Sequence, residues 1–177
     1  MRAAIPARGE PVARRRGLAP VVDARTRVLV LGSFPGVASL AARQYYAHPR
    51  NHFWPIVAAL LDEPLLAVSY VQRLERIGGR GLGLWDIIVA CRRQGSSDGA
   101  IRDASRGQPT RIARLAPALE VVAFNGHTAA KAETEWRAAG YETLVLPSTS
   151  PAYTRPLEEK LAAWRVLRAW LGGAGPR

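Results

Sequence analysis

Four short apolar runs constrain the fold of this 177-residue chain more than any other feature. They span residues 27–33, 83–89, 119–125 and 143–148, and each ends at Gly, Ser or Asn or leads into a loop. Apolar runs of this length between turn signals are typical of strands that are buried on both faces. The four runs are therefore predicted to form one buried sheet.

Segments with apolar residues at helical spacing lie between and around these strands. Helices are predicted over residues 51–61, 65–77, 110–117, 127–139 and 157–171. Residues 92–108 are expected to form a long loop. Strands that alternate with helices predict a parallel sheet with helices on both faces. The expected fold class is α/β, a three-layer sandwich around a central, mainly parallel four-stranded sheet.

The two ends of the chain differ from its middle. Residues 1–20 are rich in arginine and proline and have no apolar period, which is typical of a flexible basic arm. Residues 173–177 are expected to fray, so residues 21–172 are expected to form a single domain. No secretory signal is visible and no run is long enough to cross a bilayer. Cys91, the single cysteine, excludes an internal disulfide, so a cytoplasmic location is the default expectation.

Charge is the strongest signal in the composition. The chain has 25 Lys and Arg against 14 Asp and Glu, a formal net charge of +11. All of the basic residues except Lys131 and Lys160 are arginine. A basic surface favours polyanions, and nucleic acid is the usual one. The alternative is that the composition reflects only a GC-rich coding bias.

Ligands of open parallel sheets bind beyond the carboxyl ends of the strands. This rule selects the loops after the first, third and fourth predicted strands, which read "GSFPG" from Gly32, "NGHTAA" from Asn125 and "PSTSPAY" from Pro147. The first loop can bend sharply and bring backbone amides to a ligand, although many ordinary strand-to-helix turns look similar. Its glycine spacing matches neither a nucleotide phosphate-binding loop nor a dinucleotide fingerprint.

The segment "YYAHPRNHFW" at residues 45–54 is more specific. Its aromatic rings offer faces for a stacked base, and His48, Asn51 and His52 offer hydrogen-bond donors and acceptors. The alternatives are core packing for the Phe-Trp pair, a helix N-cap for Asn51 and an ordinary loop position for His48. The two histidines have no third ligand nearby, so no metal site is expected.

The other two loops also combine polar groups. The carboxamide of Asn125 can read a base edge because it both donates and accepts hydrogen bonds, and a helix cap is the alternative. The "PSTSPAY" loop can bind phosphate through its hydroxyls and amides, and a turn held by local hydrogen bonds is the alternative. No nucleophile elbow surrounds its serines, so they are not expected to attack an acyl group.

Taken together, these loops resemble the uracil-DNA glycosylase superfamily, and most closely its hypoxanthine-DNA glycosylase branch. The resemblance rests on "LGSFPG", "QYYAHPRNHFW", "LWDIIVACRRQGSSDGAI", "FNGHTAA" and "LPSTSPAY", in this order between residues 27 and 164. It implies a uracil-DNA glycosylase-like fold. It also implies a DNA repair enzyme that hydrolyses the N-glycosidic bond of a deaminated base flipped out of DNA, hypoxanthine first, and leaves an abasic site.

The resemblance also implies roles for individual residues. Asn51 is the implied catalytic residue, which orients water, and Tyr46 is the aromatic that stacks on the flipped base. Phe34 stands where the mismatch-specific uracil branch has a water-positioning Asn. The base-binding residues are expected to be Phe34, Tyr46, His48 and Asn125. The DNA-binding residues are expected to be Gly32, Ser33, Pro35, Gly36, Pro147, Ser148, Thr149, Ser150 and Tyr153. Either Ala152 or Tyr153 is expected to wedge into the duplex.

The implied partner is DNA that contains deaminated bases, with no membrane and with the protein as a monomer. No metal or organic cofactor is implied. Neither lysine lies near the site loops to form a Schiff base, so a monofunctional glycosylase is expected. Three alternatives stay open: a mismatch-specific uracil-DNA glycosylase, a non-catalytic nucleic-acid-binding α/β domain and a small-molecule α/β enzyme.

Overall fold

Seven strands and seven α-helices form within residues 12–172, the part of the chain that this computed structural model describes. The strands are β1 (Arg14–Arg16), β2 (Val28–Gly32), β3 (Leu82–Asp86), β4 (Ile88–Arg92), β5 (Arg102–Arg106), β6 (Val121–Asn125) and β7 (Glu142–Leu146). The helices are α1 (Val37–Ala42), α2 (Phe53–Leu61), α3 (Tyr70–Gly79), α4 (Pro109–Leu115), α5 (His127–Ala130), α6 (Glu133–Ala138) and α7 (Leu157–Trp164). None of these described helices is long and apolar enough to span a bilayer.

The central sheet has the strand order β3-β2-β6-β7, and all of its pairs are parallel. Strand β2 is buried along its whole length, and its side chains alternate between two cores. Val28 and Val30 pack in the core that contains residues of α2 and α7, whereas Leu29 and Leu31 pack in the core that contains residues of α4 and α6. The predicted α/β class with a covered parallel sheet is confirmed.

A second, antiparallel sheet has the order β1-β4-β5, and the sequence did not predict it. Strand β1 lies in the segment that was expected to be a flexible arm, and β5 lies in the expected loop of residues 92–108. Both expectations are wrong for these strands, because backbone pairing to β4 orders them without any apolar pattern. Residues 1–11 of the expected arm and the expected frayed tail, residues 173–177, lie outside the described residues.

Several predicted elements are shorter than expected. The predicted helix at residues 127–139 divides into α5 and α6, and the one at residues 157–171 continues after α7 as a 3-10 helix, Arg165–Ala169. The predicted strand at residues 83–89 is two strands, because the chain leaves the parallel sheet after Asp86 and enters the antiparallel sheet at Ile88. This break puts Asp86 at a strand end.

Candidate active site

A cavity of about 680 Å³ opens where β2, β3 and β6 end. This volume lies within the range of small-ligand sites. The cavity is lined by almost all of the predicted site residues: Gly32, Ser33, Phe34, Pro35, Gly36, Tyr46, His48, Asn51, Asn125, Ser148, Thr149, Ser150 and Tyr153. Pro147 is the exception, and it lines a smaller neighbouring cavity instead. The structure thus gathers loops that are far apart in sequence at one edge of the sheet.

Tyr46 has a strained and strongly supported position in this cavity. Its backbone φ is +55°, in the left-handed region that residues other than glycine rarely adopt. Its ring stacks on Phe53 with a centroid separation of 3.9 Å and an interplanar angle of 19°. Phe53 and Trp54 are themselves core residues. Burial, followed by the charge of Asp86, raises the pKa of the Tyr46 hydroxyl, so this group stays neutral.

Asn51 lies just before α2 and is held there by two hydrogen bonds. Its Oδ1 accepts the backbone N–H of Phe53 at 2.9 Å and so satisfies one donor in the first turn of α2, although the N-cap position itself is His52. Its own N–H donates to the carbonyl of His48 at 2.9 Å. These bonds fix the carboxamide in one orientation at the cavity wall, and its Nδ2 donors are left for a ligand.

His48 stands beside Asn51 with its ring oriented by the backbone. Its Nδ1 accepts the N–H of Arg50 at 3.2 Å. A neutral imidazole that accepts at Nδ1 carries its proton on Nε2. The histidine therefore offers one hydrogen-bond donor to the cavity.

The serine-threonine loop, residues 147–153, is fixed through Thr149. The side chain of Asn125 forms two hydrogen bonds to this buried residue: Nδ2 donates to Oγ1, and Oδ1 accepts the backbone N–H, both at 2.9 Å. The N–H of His52 donates to the Thr149 carbonyl at 3.0 Å. Asn125 thus ties the loop to β6.

Helix α7 holds the same loop from the other side. Trp164 Nε1 donates to the carbonyl of Pro147 at 2.9 Å, and Lys160 Nζ donates to the carbonyl of Tyr153 at 2.6 Å. The expectation that neither lysine lies near the site loops is wrong for Lys160, whose ammonium is hydrogen-bonded to carbonyls of this loop. Burial lowers the pKa of this lysine. Of the two candidate wedge residues, Ala152 is exposed, whereas the Tyr153 ring lies 5.3 Å from the lysine ammonium.

The "GSFPG" turn is shaped by contacts with the β4–β5 hairpin. Ser33 Oγ donates to the carboxylate of Asp98, and the guanidinium of Arg93 donates to the carbonyl of Pro35. The same guanidinium lies 4.8 Å from the centre of the Phe34 ring. Phe34 is only 6% exposed, so most of its ring packs in the core and little of it is left to contact a base.

Asp86 is a cavity residue that sequence reasoning missed. It is 5% exposed, and its Oδ2 has no hydrogen-bond partner among residues 12–172. Burial, followed by the negative charge of Asp98, raises its pKa to about 7, although the charge of Arg93 opposes this shift. The rule that selected the other loops applies to Asp86 as well, but the second strand was predicted to continue to residue 89. The sequence did offer one signal for this site residue, namely a single carboxylate within an otherwise apolar run.

The model of the Uracil DNA glycosylase superfamily matches residues 19–171. The chain belongs to this superfamily. Its relatives include the "Hypoxanthine DNA glycosylase" of Methanosarcina barkeri, which is 38% identical over 151 residues, or 85% of this chain and 96% of the relative. The "Hypoxanthine DNA glycosylase" of Methanosarcina acetivorans is 35% identical over 153 residues, or 86% of this chain and 97% of the relative.

A solved structure of the superfamily supports the same assignment. The solution NMR structure of a candidate uracil DNA glycosylase from Methanosarcina acetivorans has a TM-score of 0.77 and 35% identity to this chain. The match covers 88% of this chain and 99% of that one. The family and fold that the motifs predicted are confirmed, and the protein is a DNA glycosylase.

Proposed function

We propose that this glycosylase removes hypoxanthine from DNA by hydrolysing the N-glycosidic bond of deoxyinosine and leaves an abasic site. One observation carries the proposal: Tyr46, Asn51, Asn125 and the serine-threonine loop surround a single cavity that is large enough for a purine. The names of the two Methanosarcina relatives support the choice of base.

The target base enters the cavity after it is rotated out of the duplex, which costs a few kcal/mol. Tyr46, whose ring is supported from behind by Phe53, provides the stacking face. Hypoxanthine presents acceptors at O6, N3 and N7. The Nε2 hydrogen of His48 and the Nδ2 hydrogens of Asn51 and Asn125 are donors that complement them.

The transition state places positive charge on the deoxyribose and negative charge on the base. Preorganised donors around the base stabilise the negative charge, because their orientation is fixed before the reaction. Asn51 is fixed by its hydrogen bond to the Phe53 N–H, and it orients the water that adds to the sugar. A carboxamide does not remove the proton from this water, and a cationic sugar does not need a strong base.

The DNA backbone is bound by the two loops at the mouth of the cavity. The backbone amides and hydroxyls of the "GSFPG" turn and of the serine-threonine loop are suited to phosphate oxygens. Arginines add an electrostatic attraction that weakens as salt increases. The loops set the register of the duplex, so that the flipped nucleotide meets Tyr46.

The test uses duplexes with a single deoxyinosine, deoxyuridine or deoxyxanthosine, followed by alkali cleavage. We expect strand breaks at deoxyinosine. Asn51→Ala should reduce the single-turnover rate at least about a hundredfold while DNA affinity is retained. Gln108→Ala, which removes an exposed side-chain amide outside the cavity, is the matched control and should keep full activity.

The alternatives give different outcomes in the same assay. Cleavage at deoxyuridine alone would identify a uracil-specific enzyme. Binding of all three duplexes without any alkali-labile product would identify a non-catalytic domain and would contradict the proposal.

A further inference from the structure

Two polar atoms in the cavity are buried without a hydrogen-bond partner in the described part of the chain. They are Asp86 Oδ2 and Tyr46 Oη. Both residues approach the same point at the end of β2: a Cβ added to Gly32 would lie 2.4 Å from Asp86 Oδ1 and 3.3 Å from Tyr46 Oη. Buried polar atoms without partners are rare in folded proteins, and at a site they indicate groups that a ligand satisfies. The missing partner of Asp86 is therefore expected to be the bound nucleotide.

The surroundings of Asp86 favour a neutral carboxylic acid. The charged and titratable groups that act on it are Arg93, Asp98, Tyr45 and Tyr46. Arg93 is the cation among them, but its nearest carboxylate is Asp98, whose Oδ1 lies 4.0 Å from Arg93 Nη1, while its Nη2 donates to the Pro35 carbonyl. Asp98 carries the same sign of charge as an ionised Asp86. Burial without a close ion pair penalises the carboxylate and raises the pKa of the group.

We propose that Asp86 is the general acid that protonates the departing purine in this active site. The inference rests on the proposed function. As the bond between C1′ and N9 breaks, its electron pair leaves with the base, and the carboxyl proton of Asp86 moves to a ring nitrogen of that base. Water then bonds to C1′ and releases one proton, which restores the carboxylic acid. Hypoxanthine leaves as a neutral molecule, and no other reactant is needed.

This role explains why a carboxyl group suits the site better than an amide. A purine has basic ring nitrogens besides the one that is bonded to the sugar, so its departure is accelerated by proton transfer. An amide only donates a hydrogen bond. A carboxylic acid with a pKa near 7 transfers its proton at neutral pH and recovers it afterwards.

The test is the pH dependence of single-turnover excision of hypoxanthine. The acid form is active and is lost as pH rises through the folded-state pKa, so the wild-type rate should fall above pH of about 7. Asp86→Asn should lower the rate by about 10²- to 10⁴-fold and should remove this fall. Asp98→Asn removes the charge that disfavours ionised Asp86, so the fall should begin at a lower pH.

Two further measurements separate chemistry from folding. Asp86→Glu keeps an ionisable acid and should recover at least tenfold over Asp86→Asn, together with the fall in rate at alkaline pH. The Asn variant should bind a duplex with an abasic-site analogue with wild-type affinity, and its thermal stability at pH 8 should equal or exceed that of the wild type, because a buried charge is removed.

The outcomes distinguish the two proposals. Full activity of Asp86→Asn with an unchanged pH profile overturns the role of Asp86 and leaves the proposed function intact. An equal loss in the Asn and Glu variants, without a change of pH profile in Asp98→Asn, overturns it as well. A wild-type protein that does not excise hypoxanthine overturns the proposed function itself.

Discussion

The parallel and antiparallel sheets meet at Ile87, yet they differ in burial, charge and contribution to the site. Strands β2 and β3 of the parallel sheet are buried along their length, whereas β1 of the antiparallel sheet is three exposed arginines. The N–H of Ile87 donates to the carbonyl of Gly32, and its carbonyl accepts the N–H of Gly107. The parallel sheet places Asp86 and Asn125, two of the proposed site residues, at its carboxyl edge, whereas the antiparallel sheet carries exposed arginines.

Under the proposed mechanism the two sheets have different tasks. Reacting groups need fixed positions, and the fully paired ends of buried strands provide them. The hairpin between β4 and β5 instead contributes an intervening loop, residues 96–99, that lines the cavity wall. Substitutions in the parallel sheet should therefore affect turnover, and those in the antiparallel sheet should affect affinity.

The largest effect is expected at Gly32. A Cβ at this position would lie 2.4 Å from Asp86 Oδ1, so Gly32→Ala must displace the carboxyl group or the strand end. We expect single-turnover excision to fall at least about a hundredfold, as for loss of a positioned acid. Gly99→Ala in the hairpin loop, which lines the same cavity, is the comparison variant and should lose little turnover, since its Cβ meets only Ser97 Oγ at 3.6 Å. If both variants lose activity equally, the two sheets do not differ in the way described.

The junction of the two sheets should be the next most sensitive position. A Cβ on Gly107 would lie 2.2 Å from the buried ring of Trp85. Gly107→Ala should lower the free energy of unfolding in denaturant by about 1–3 kcal/mol, which is the usual cost of overpacking. Gly78→Ala in α3, where a Cβ meets nothing within 4 Å, should be neutral or stabilising. An unchanged midpoint for Gly107→Ala would show that the sheets are not rigidly joined there.

A smaller effect is expected where α7 supports the serine-threonine loop. Lys160→Met removes the hydrogen bonds to the carbonyls of Tyr153 and Ser150 but keeps the length of the buried side chain. The loop should lose its fixed shape, so Kd for a deoxyinosine duplex should rise about tenfold, as for loss of a hydrogen bond from a charged donor. The single-turnover rate at saturating enzyme should change less. Lys131→Met, at an exposed lysine, is the control, and an equal rise in Kd in both variants would contradict the support role.

The two sheets also differ in how far the sequence predicts them. The strand "VLVLG" is apolar at four of its five positions because helices cover both of its faces, and this burial made β2 predictable to within a residue at each end. Strands β1 and β5 are rich in arginine and contain no apolar run, because their outer faces contact water. Backbone hydrogen bonds do not depend on side chains, so the sequence carried no signal for these pairs.

The residues of the site are likewise divided into those that the sequence predicted and those that it did not. Loops that follow the predicted strands were found because the ends of parallel strands converge. The double hydrogen bond between Asn125 and Thr149 depends on contacts across 24 residues and was not predictable from local pattern. Asp86 was missed because the second strand was predicted to continue to residue 89, whereas it ends at Asp86. Only this strand end brings the carboxyl group to the cavity.

The smallest effect is expected in the antiparallel sheet. Arg15 and Arg16 are exposed and lie before residue 19, where the match to the superfamily begins. Arg15→Gln combined with Arg16→Gln should weaken DNA binding severalfold for every DNA sequence. The slope of the logarithm of the binding constant against the logarithm of salt concentration should decrease by about one for each lost phosphate contact. Excision at saturating enzyme should be unchanged.

The control for this pair is Arg27→Gln. Arg27 is bound to Glu120 at the amino end of the parallel sheet, opposite the cavity, so its removal should leave the salt dependence as it is. A salt slope that changes in Arg27→Gln and not in the β1 variant would place the DNA on the other edge of the protein. A change confined to the β1 variant, without loss of turnover, would show that β1 contributes to DNA affinity and not to turnover.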